Sequence, residues 1–264
     1  MSSEDIRNSA IAVGLRDRQM SGWCDEGTRE LVTDVVIKPG MKVVDVGCGD
    51  GGYITFCARM GADVTFVDLN GAKVEALQEK LEKENNGGEI RGFVSDCNPI
   101  PIPDGHADVV MSTEVLEHVQ NPEDFIKEIV RVGGPEATYV LTVPDSRGEN
   151  LIRDIAHPAY FSEPNHIQIF SSEEFEELAR DAGLEVIRHE YLAGFWAVFY
   201  LLKWATSLPG ESLIENVQPQ TTLWTQTWEE VLKHPSGNKV RAALNNALPR
   251  CQMIVARRQS ADRG

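Results

Sequence analysis

The sequence predicts an α/β fold built around a doubly wound, mostly parallel sheet of seven strands. Short apolar runs alternate with helical patterns along most of the chain, which is typical of parallel strands joined by right-handed helical crossovers. Acidic residues stand at or beyond the ends of several runs, where such sheets bind their ligands. The predicted strands are 42–46, 63–68, 90–95, 107–112, 137–143, 184–191 and 251–256.

Helical patterns fill most of the segments between these strands. Gly133-Gly134-Pro135 ends one of them, and Ser171 with Glu174 has the spacing of a capping box at the start of another. The stretch 144–170 is predicted to be a loop able to act as a lid. The predicted helices of the sheet region are 51–60, 71–85, 122–132 and 171–182.

The first 40 residues predict one or two helices. Leu31, Val35 and Val36 lie near helical spacing within 28–37, and Pro39-Gly40 ends that pattern. We therefore expect residues 1–40 to form a helical segment ahead of the sheet.

Strands six and seven are separated by about 55 residues, 195–249. A loop of that length without structure of its own is unusual in a compact domain. The composition instead predicts helices at 195–207, 223–233 and 237–247. We expect a C-terminal helical insertion, a cap on a core formed by 41–194 and 250–258, followed by a tail at 259–264. Four of the five tryptophans lie in the insertion: Trp196, Trp204, Trp224 and Trp228.

Composition limits the partners that this chain can bind. A formal charge of −16 and a pI of about 4.8 argue against nucleic acid or an anionic membrane as the main partner. The cysteine count of five is odd and contains no C-x-x-C pair, which favours reduced thiols in the cytoplasm over a disulfide framework. The first residues lack the shape of a signal peptide, and no apolar run reaches the length of a membrane span.

The stretch 43–52, Val-Val-Asp-Val-Gly-Cys-Gly-Asp-Gly-Gly, is the most informative part of the chain. An apolar strand ends in glycines, which let the backbone approach a ligand closely, and a helix N-terminus follows. Gly47, Gly49 and Gly52 match the dinucleotide pattern G-x-G-x-x-G. That pattern alone does not distinguish between nucleoside ligands, so the neighbouring motifs must.

Four motifs in order make the chain similar to one family. Asp45 precedes the glycines in a D-x-G-x-G pattern, and strand 63–68 ends in Asp68. Strand 90–95 is followed by Asp96, and strand 107–112 is followed by Glu114-Val-Leu-Glu117-His118. Over roughly residues 41–192 the chain thereby resembles the class I S-adenosylmethionine-dependent methyltransferases of small-molecule type.

The resemblance implies a Rossmann-like fold in which strand seven runs antiparallel beside strand five, with S-adenosyl-L-methionine as cofactor. It implies that Asp68 accepts both ribose hydroxyls, that Asp96 accepts the adenine amino group, and that the N-terminal segment lies over the cofactor. The cofactor-binding residues implied in this way are Asp45, Gly47, Cys48, Gly49, Asp68, Leu69, Asp96, Cys97 and Glu114.

The resemblance also implies direct in-line methyl transfer to a small-molecule acceptor, without a metal, and we expect oxygen as the atom methylated. A hydroxyl acceptor must lose a proton, and histidine is the usual base near neutral pH. The candidate bases are His166 and His118, although each could instead have a structural role. Four residues are candidates for orienting the acceptor: Glu117, Tyr160, Asn165 and Trp196.

Three alternative functions remain open. The acceptor could be a saccharide or lipid precursor held under the aromatic cap. The chain could bind the cofactor without catalysis and partner another protein through the cap, or it could be an NAD-dependent oxidoreductase. The cap aromatics themselves could pack onto the sheet, line an acceptor pocket or form a homodimer face.

Overall fold

The computed structural model describes residues 3–207 and 219–259, with side chains described from residue 9 onward. Contacts divide the chain into two compact units. The first, here the helical unit, comprises Met1–Ser21, Pro144–Ser171 and Tyr191–Gln252. The second, here the sheet unit, comprises Gly22–Val143, Ser172–Glu190 and Met253–Gly264.

The main sheet has seven strands. When the strands are numbered 1 to 7 in chain order, they lie across the sheet in the order 3-2-1-4-5-7-6. Strand 7 is antiparallel, as predicted. The order reverses between the first and the fourth, which is where such sheets bind ligands. In chain order the strands are β3 (Lys42–Val46), β4 (Asp63–Asp68), β5 (Ile90–Val94), β6 (Ala107–Thr113), β7 (Gly133–Pro144), β8 (Leu184–Leu192) and β9 (Cys251–Arg258).

Central strands of this sheet are apolar on both faces, as expected where helices cover a parallel sheet on both sides. Their register is regular, with Asp45 of β3 opposite Phe66 of β4 and Met111 of β6. Fully buried side chains of these strands include Val43, Val44, Val46, Phe66, Val67, Val110, Met111, Val140 and Leu141.

Helices of the sheet unit begin where the sequence predicts. The side chain of Asn70 caps the helix that begins at Gly71 by accepting from the backbone N–H groups of Ala72 and Lys73, and Asn121 caps the helix that begins at Pro122. These helices are α2 (Gly52–Arg59), α3 (Gly71–Glu84), α4 (Pro122–Val132) and α6 (Ser172–Asp181).

The prediction of a helix over 28–37 is wrong. This segment forms a small antiparallel hairpin of β1 (Glu30–Val32) and β2 (Val35–Val36). Asp34 turns the chain with a φ of 64°, and the β-branched valines suit strands. Of the three residues whose spacing predicted a helix, Leu31 and Val35 are buried in the hairpin and Val36 is exposed. Another difference is that Gly133-Gly134-Pro135, which does end α4, already belongs to β7.

The helical unit is built from α1 (Ser3–Met20), α5 (Ser146–Ile152), α7 (Gly194–Thr206), α8 (Pro219–Lys233) and α9 (Gly237–Ala247). The three predicted helices of the insertion are therefore present, while its residues 208–218, like 260–264 of the predicted tail, lie outside the described residues. The apolar core of the helical unit includes the buried residues Val13, Phe195, Trp228 and Leu232.

Segment 144–170, predicted as a loop, contains α5 and a short 3-10 helix, Pro158–Phe161. The start of α5 could have been predicted from the sequence, because Asp145 is a favourable N-cap residue. Its side chain accepts the backbone N–H of Arg147 at 2.9 Å. No helix within the described ranges 3–207 and 219–259 has the length and apolarity needed to cross a membrane.

Candidate active site

The turn between β3 and α2 is held open by glycine. The N–H groups of Gly47 and Cys48 both donate to the carbonyl oxygen of Val67, at 2.8 and 3.0 Å, which ties the turn to the end of β4. Gly47 has a φ of 77°, and a Cβ there would lie 2.3 Å from Val115 Cγ2. At Gly49 and Gly52 a Cβ would meet nothing within 4 Å, so both border open space that a ligand can occupy.

Asp45 is a buried carboxyl group beside this turn. Its side chain belongs to a residue only 2% exposed, and Oδ1 has no hydrogen-bond partner among the described residues. Burial, reinforced by the negative charge of Asp68, raises the pKa of Asp45 to about 7. A buried acceptor without a donor at the carboxyl end of a central strand points to a ligand that supplies one.

Asp68 ends β4 and is fixed by backbone donors on both of its oxygens. Oδ2 accepts the N–H of Gly49 and Oδ1 accepts that of Asn70, each at 2.8 Å. Each carboxylate oxygen keeps a second lone pair, so the group can still accept ribose hydroxyls. The next residue, Leu69, is 73% exposed, an uncommon state for leucine that provides an apolar surface beside the acid.

Asp96 and Cys97 follow β5 as predicted. Asp96 is exposed and accepts the N–H of Asn98 at 3.1 Å, while the N–H of Cys97 donates to Ser95 Oγ at 3.0 Å. The backbone N–H of Cys97 is thus already bonded within the loop. Burial first, and then the charge of Asp96, raise the pKa of Cys97 to about 11. Burial likewise raises the pKa of Cys48, so both thiols stay protonated and neither is a nucleophile at neutral pH.

The segment after β6 presents Glu114, Glu117 and His118. Glu114 adopts a φ of 55°, and its backbone and carboxylate both bond to Thr142, with 3.1 Å between Oγ1 of Thr142 and Oε1 of Glu114. Glu117 is fully buried, and His118 Nε2 lies 3.7 Å from its Oε1. These contacts position His118 against a buried carboxylate.

The predicted cofactor residues belong to the sheet unit. All of them lie at the carboxyl ends of β3, β4, β5 and β6.

His166 of the helical unit is paired with a carboxylate that the sequence did not single out. Its Nδ1 lies 3.0 Å from Oε2 of Glu149, which belongs to α5 and has no exposed surface. The hydroxyl of Tyr160 donates to the other oxygen of Glu149 at 3.2 Å, and Arg250 binds the same oxygen. Arg250 Nη2 also donates to the Tyr160 hydroxyl at 2.5 Å. We call Glu149, Tyr160, His166 and Arg250 the Glu149 network.

The Glu149 network keeps its carboxylate ionised. Burial acts to raise the pKa of Glu149, but the hydrogen bond from His166 and the charge of Arg250 outweigh it, so the pKa lies below its usual value. An ionised Glu149 accepts a proton-bearing Nδ1, which leaves Nε2 of His166 as the basic nitrogen. Burial raises the pKa of Tyr160, so its hydroxyl stays protonated within the network.

The remaining acceptor candidates have distinct positions. Asn165 holds the loop before His166, because its Nδ2 donates to the carbonyl of Ala159 at 2.9 Å. Trp196 packs on α1 so closely that a Cβ at Gly14 would lie 2.6 Å from its ring. Sequence reasoning missed Glu149 and Arg250 because their roles depend on distant contacts. Glu149 is 17 residues from His166 and 101 residues from Arg250 in the chain, and no local pattern shows such contacts.

Comparisons with known proteins show which family the chain resembles. A family model described as a methyltransferase domain matches residues 16–189. Sterol 24-C-methyltransferase ERG6B of Gibberella zeae is 30% identical over 168 residues, covering 62% of this chain and 44% of that protein. Norajmaline N-methyltransferase of Rauvolfia serpentina is 32% identical over 120 residues, covering 44% and 41%. The chain spans less than half the length of both relatives.

Solved structures share the fold at low sequence identity. The [4+2]-cyclase SpnF has a TM-score of 0.58 at 18% identity, with 92% of this chain and 81% of that chain covered. A SAM-dependent methyltransferase from Aquifex aeolicus has a TM-score of 0.51 at 21% identity, with 73% and 93% covered. At these identities the likeness shows the fold alone.

Proposed function

The chain belongs to the methyltransferase-domain family, and from that premise we propose that it transfers a methyl group from S-adenosylmethionine to a hydroxyl of a small molecule. The observation that carries the proposal is the pairing of His166 with the ionised, buried Glu149, because a hydroxyl must lose its proton to a base when it is methylated. The named relatives act on a sterol and on an alkaloid, which supports a small molecule as acceptor.

The sheet unit carries the residues that fit the cofactor. Asp68 would accept the ribose hydroxyls, and Leu69 would pack against the adenine, whose amino group Asp96 would accept. Open space at Gly49 and Gly52 leaves room for the ligand, and the unpartnered Oδ1 of Asp45 can receive a donor from it. The turn residues Gly47 and Cys48, together with Cys97 and Glu114, complete the proposed cofactor-binding set.

When bound, S-adenosylmethionine supplies a methyl group on a positively charged sulfur. His166 accepts the proton of the acceptor hydroxyl at Nε2, and Glu149 holds the ring in the required tautomer through Nδ1. The positive charge that forms on the imidazole is stabilised by the adjacent carboxylate. Holding the acceptor in line and excluding water supplies the rest of the rate gain. His118, held against Glu117, is the second candidate for this role.

Two measurements test the proposal. Equilibrium binding with labelled S-adenosylmethionine and with NADH comes first, and a preference for NADH would defeat the assignment of the sheet unit. Incubation with an acceptor panel of phenols, alcohols, amines and alkenes then locates the methyl group in any product by mass spectrometry and NMR. We expect O-methyl products. Methyl on carbon or nitrogen would overturn the oxygen assignment, and tight cofactor binding without any product would favour a non-catalytic cofactor-binding protein.

A further inference from the structure

One buried donor of the helical unit has no partner among the residues that the structure describes. It is Nε1 of Trp204, on α7, a residue that is only 7% exposed. The indole N–H can only donate, and buried donors in native proteins are almost always paired. Two other tryptophans of the insertion follow that rule. Trp224 donates to the carbonyl of Phe195 at 2.9 Å, and Trp228 donates to Asp17 Oδ2 at 2.7 Å.

The surroundings of Trp204 connect it to the Glu149 network. Its ring centroid lies 6.0 Å from that of Tyr160, and the Tyr160 ring lies 4.5 Å from that of His166. The rings of His166 and Trp204 are thus both neighbours of the Tyr160 ring. An oxygen-bearing ligand bound beside Tyr160 would lie next to both.

A positive charge lies beside the same indole. Nζ of Lys203 is 5.3 Å from the Trp204 ring, and Lys203 is itself buried. A cation near an indole ring is attracted to the ring electrons and withdraws electron density from the N–H, which makes it a stronger donor. The electrostatics favour an oxygen acceptor, such as a carbonyl or a carboxylate, as the partner of Nε1.

We propose that Trp204 binds the methyl acceptor by donating its indole N–H to an oxygen other than the one that is methylated. The inference rests on the proposed function only in assuming that the acceptor has a hydroxyl group. The methyl acceptor would then be a hydroxylated small molecule with a second oxygen, in a carbonyl or a carboxylate. A site with a buried hydrogen-bond donor discriminates strongly against a substrate analogue that lacks the matching oxygen, because the donor is then left unpaired. Trp204 would therefore determine specificity.

NMR on the intact, unmodified protein provides a direct test. The protein is labelled with ¹⁵N at the indole nitrogen of its five tryptophans. Three phenols serve as probes: 4-hydroxybenzoate, methyl 4-hydroxybenzoate and 4-propylphenol. We expect the Trp204 resonance to move downfield with one or both of the first two, which distinguishes carboxylate from carbonyl, and not with 4-propylphenol. The Trp224 resonance should not move. No response of Trp204 to either oxygen-bearing probe, or an equal response to 4-propylphenol, would overturn the proposal.

A variant pair provides the second test. Trp204→Phe should weaken binding of the responding probe about tenfold, as loss of one hydrogen bond implies. It should leave the affinities for 4-propylphenol and S-adenosylmethionine unchanged. Trp224→Phe removes an indole from the same unit and should leave all of these affinities unchanged. Should Trp204→Phe fail to fold, the NMR titration alone decides. A Trp204 response without methylation of any compound of the acceptor panel would defeat the proposed function and leave the binding of an oxygen-bearing small molecule by Trp204 intact.

Discussion

Nδ1 of His166 lies 3.0 Å from Oε2 of Glu149, a carboxylate with no surface open to solvent. An imidazole held in this way has its ring orientation fixed by the contact at Nδ1. The contact supports the proposed role of His166 as a base, and it distinguishes this residue from a histidine that only caps the following helix.

Replacing His166 should greatly slow turnover and leave cofactor binding unchanged. We expect His166→Ala to lower kcat by about 10²- to 10⁴-fold, the usual contribution of a positioned base, with unchanged affinity for S-adenosylmethionine. His189 offers a matched control, because its Nδ1 lies 2.6 Å from Glu176 Oε1 in the sheet unit. His189→Ala should turn over normally. Normal turnover by His166→Ala would exclude His166 as the base.

Glu149 should matter for stability as well as for catalysis. Glu149→Gln leaves Arg250 without its buried anion, so we expect the free energy of unfolding to fall by about 3 kcal/mol in denaturant titrations. The native pKa of Glu149 is lowered, so its stabilisation is present above the unfolded pKa and is lost as pH falls through the native one. Glu176→Gln, at the less buried pair, should cost less than about 1 kcal/mol. Equal losses in the two variants would contradict the network.

Catalysis by Glu149→Gln has a signature that simple destabilisation lacks. Loss of the negative charge beside the imidazole removes the stabilisation of the positive charge that forms there on proton transfer, so kcat should fall even where the variant is fully folded. The acceptor KM should change little. An unchanged kcat in the folded variant would mean that Glu149 does not act through His166.

Asp68→Ala should weaken cofactor binding strongly. The substitution removes the acceptors for both ribose hydroxyls and also the anchor of the Gly49 N–H, so a loss of about 10- to 100-fold in affinity is expected by calorimetry. Asp63, at the other end of β4, accepts the N–H of Glu89 and provides the control. Asp63→Ala should bind the cofactor normally, and an unchanged dissociation constant for Asp68→Ala would refute the ribose assignment.

Asp45 should give the cofactor-free protein an unusual pH dependence. Its pKa is raised to about 7 in the native state, so the native carboxyl keeps a proton that the unfolded chain releases near pH 4. As pH rises from the unfolded pKa to the native pKa, ionisation of this group in the unfolded chain lowers the free energy of unfolding by up to about 1.4 kcal/mol per pH unit. Above the native pKa there is no further change. Asp45→Asn lacks this term, so its stability relative to the unsubstituted protein should increase from pH 4 to pH 7. A constant difference would contradict the raised pKa.

Two glycines of the same turn should respond differently to alanine. Gly47→Ala places a Cβ against Val115 at a positive φ, and we expect a loss of about 1–3 kcal/mol in the free energy of unfolding. Gly52→Ala has open space and no positive φ, so it should fold normally and report only on ligand approach, through weaker cofactor binding. Similar stabilities for the two variants would contradict the geometry of the turn.

The sequence predicted the sheet well because strand signals and ligand signals coincide there. Asp45, Asp68 and the glycine turn are local patterns, and strand boundaries around them agree with the structure to within a residue or two. The hairpin at 28–37 was mistaken for a helix because a turn through Asp34 gives its apolar residues a helix-like spacing. The Glu149 network could not be predicted, because Glu149, His166 and Arg250 meet only through tertiary contacts.

The position of β9 has a consequence for how the chain folds. The last strand in sequence lies between β7 and β8, so neither of these can complete its pairing until residues 251–258 have left the ribosome. The whole insertion is synthesised in the meantime, while two strand edges stand open to wrong partners. Nascent chains of this protein should therefore depend on chaperones most heavily during the interval between β8 and β9.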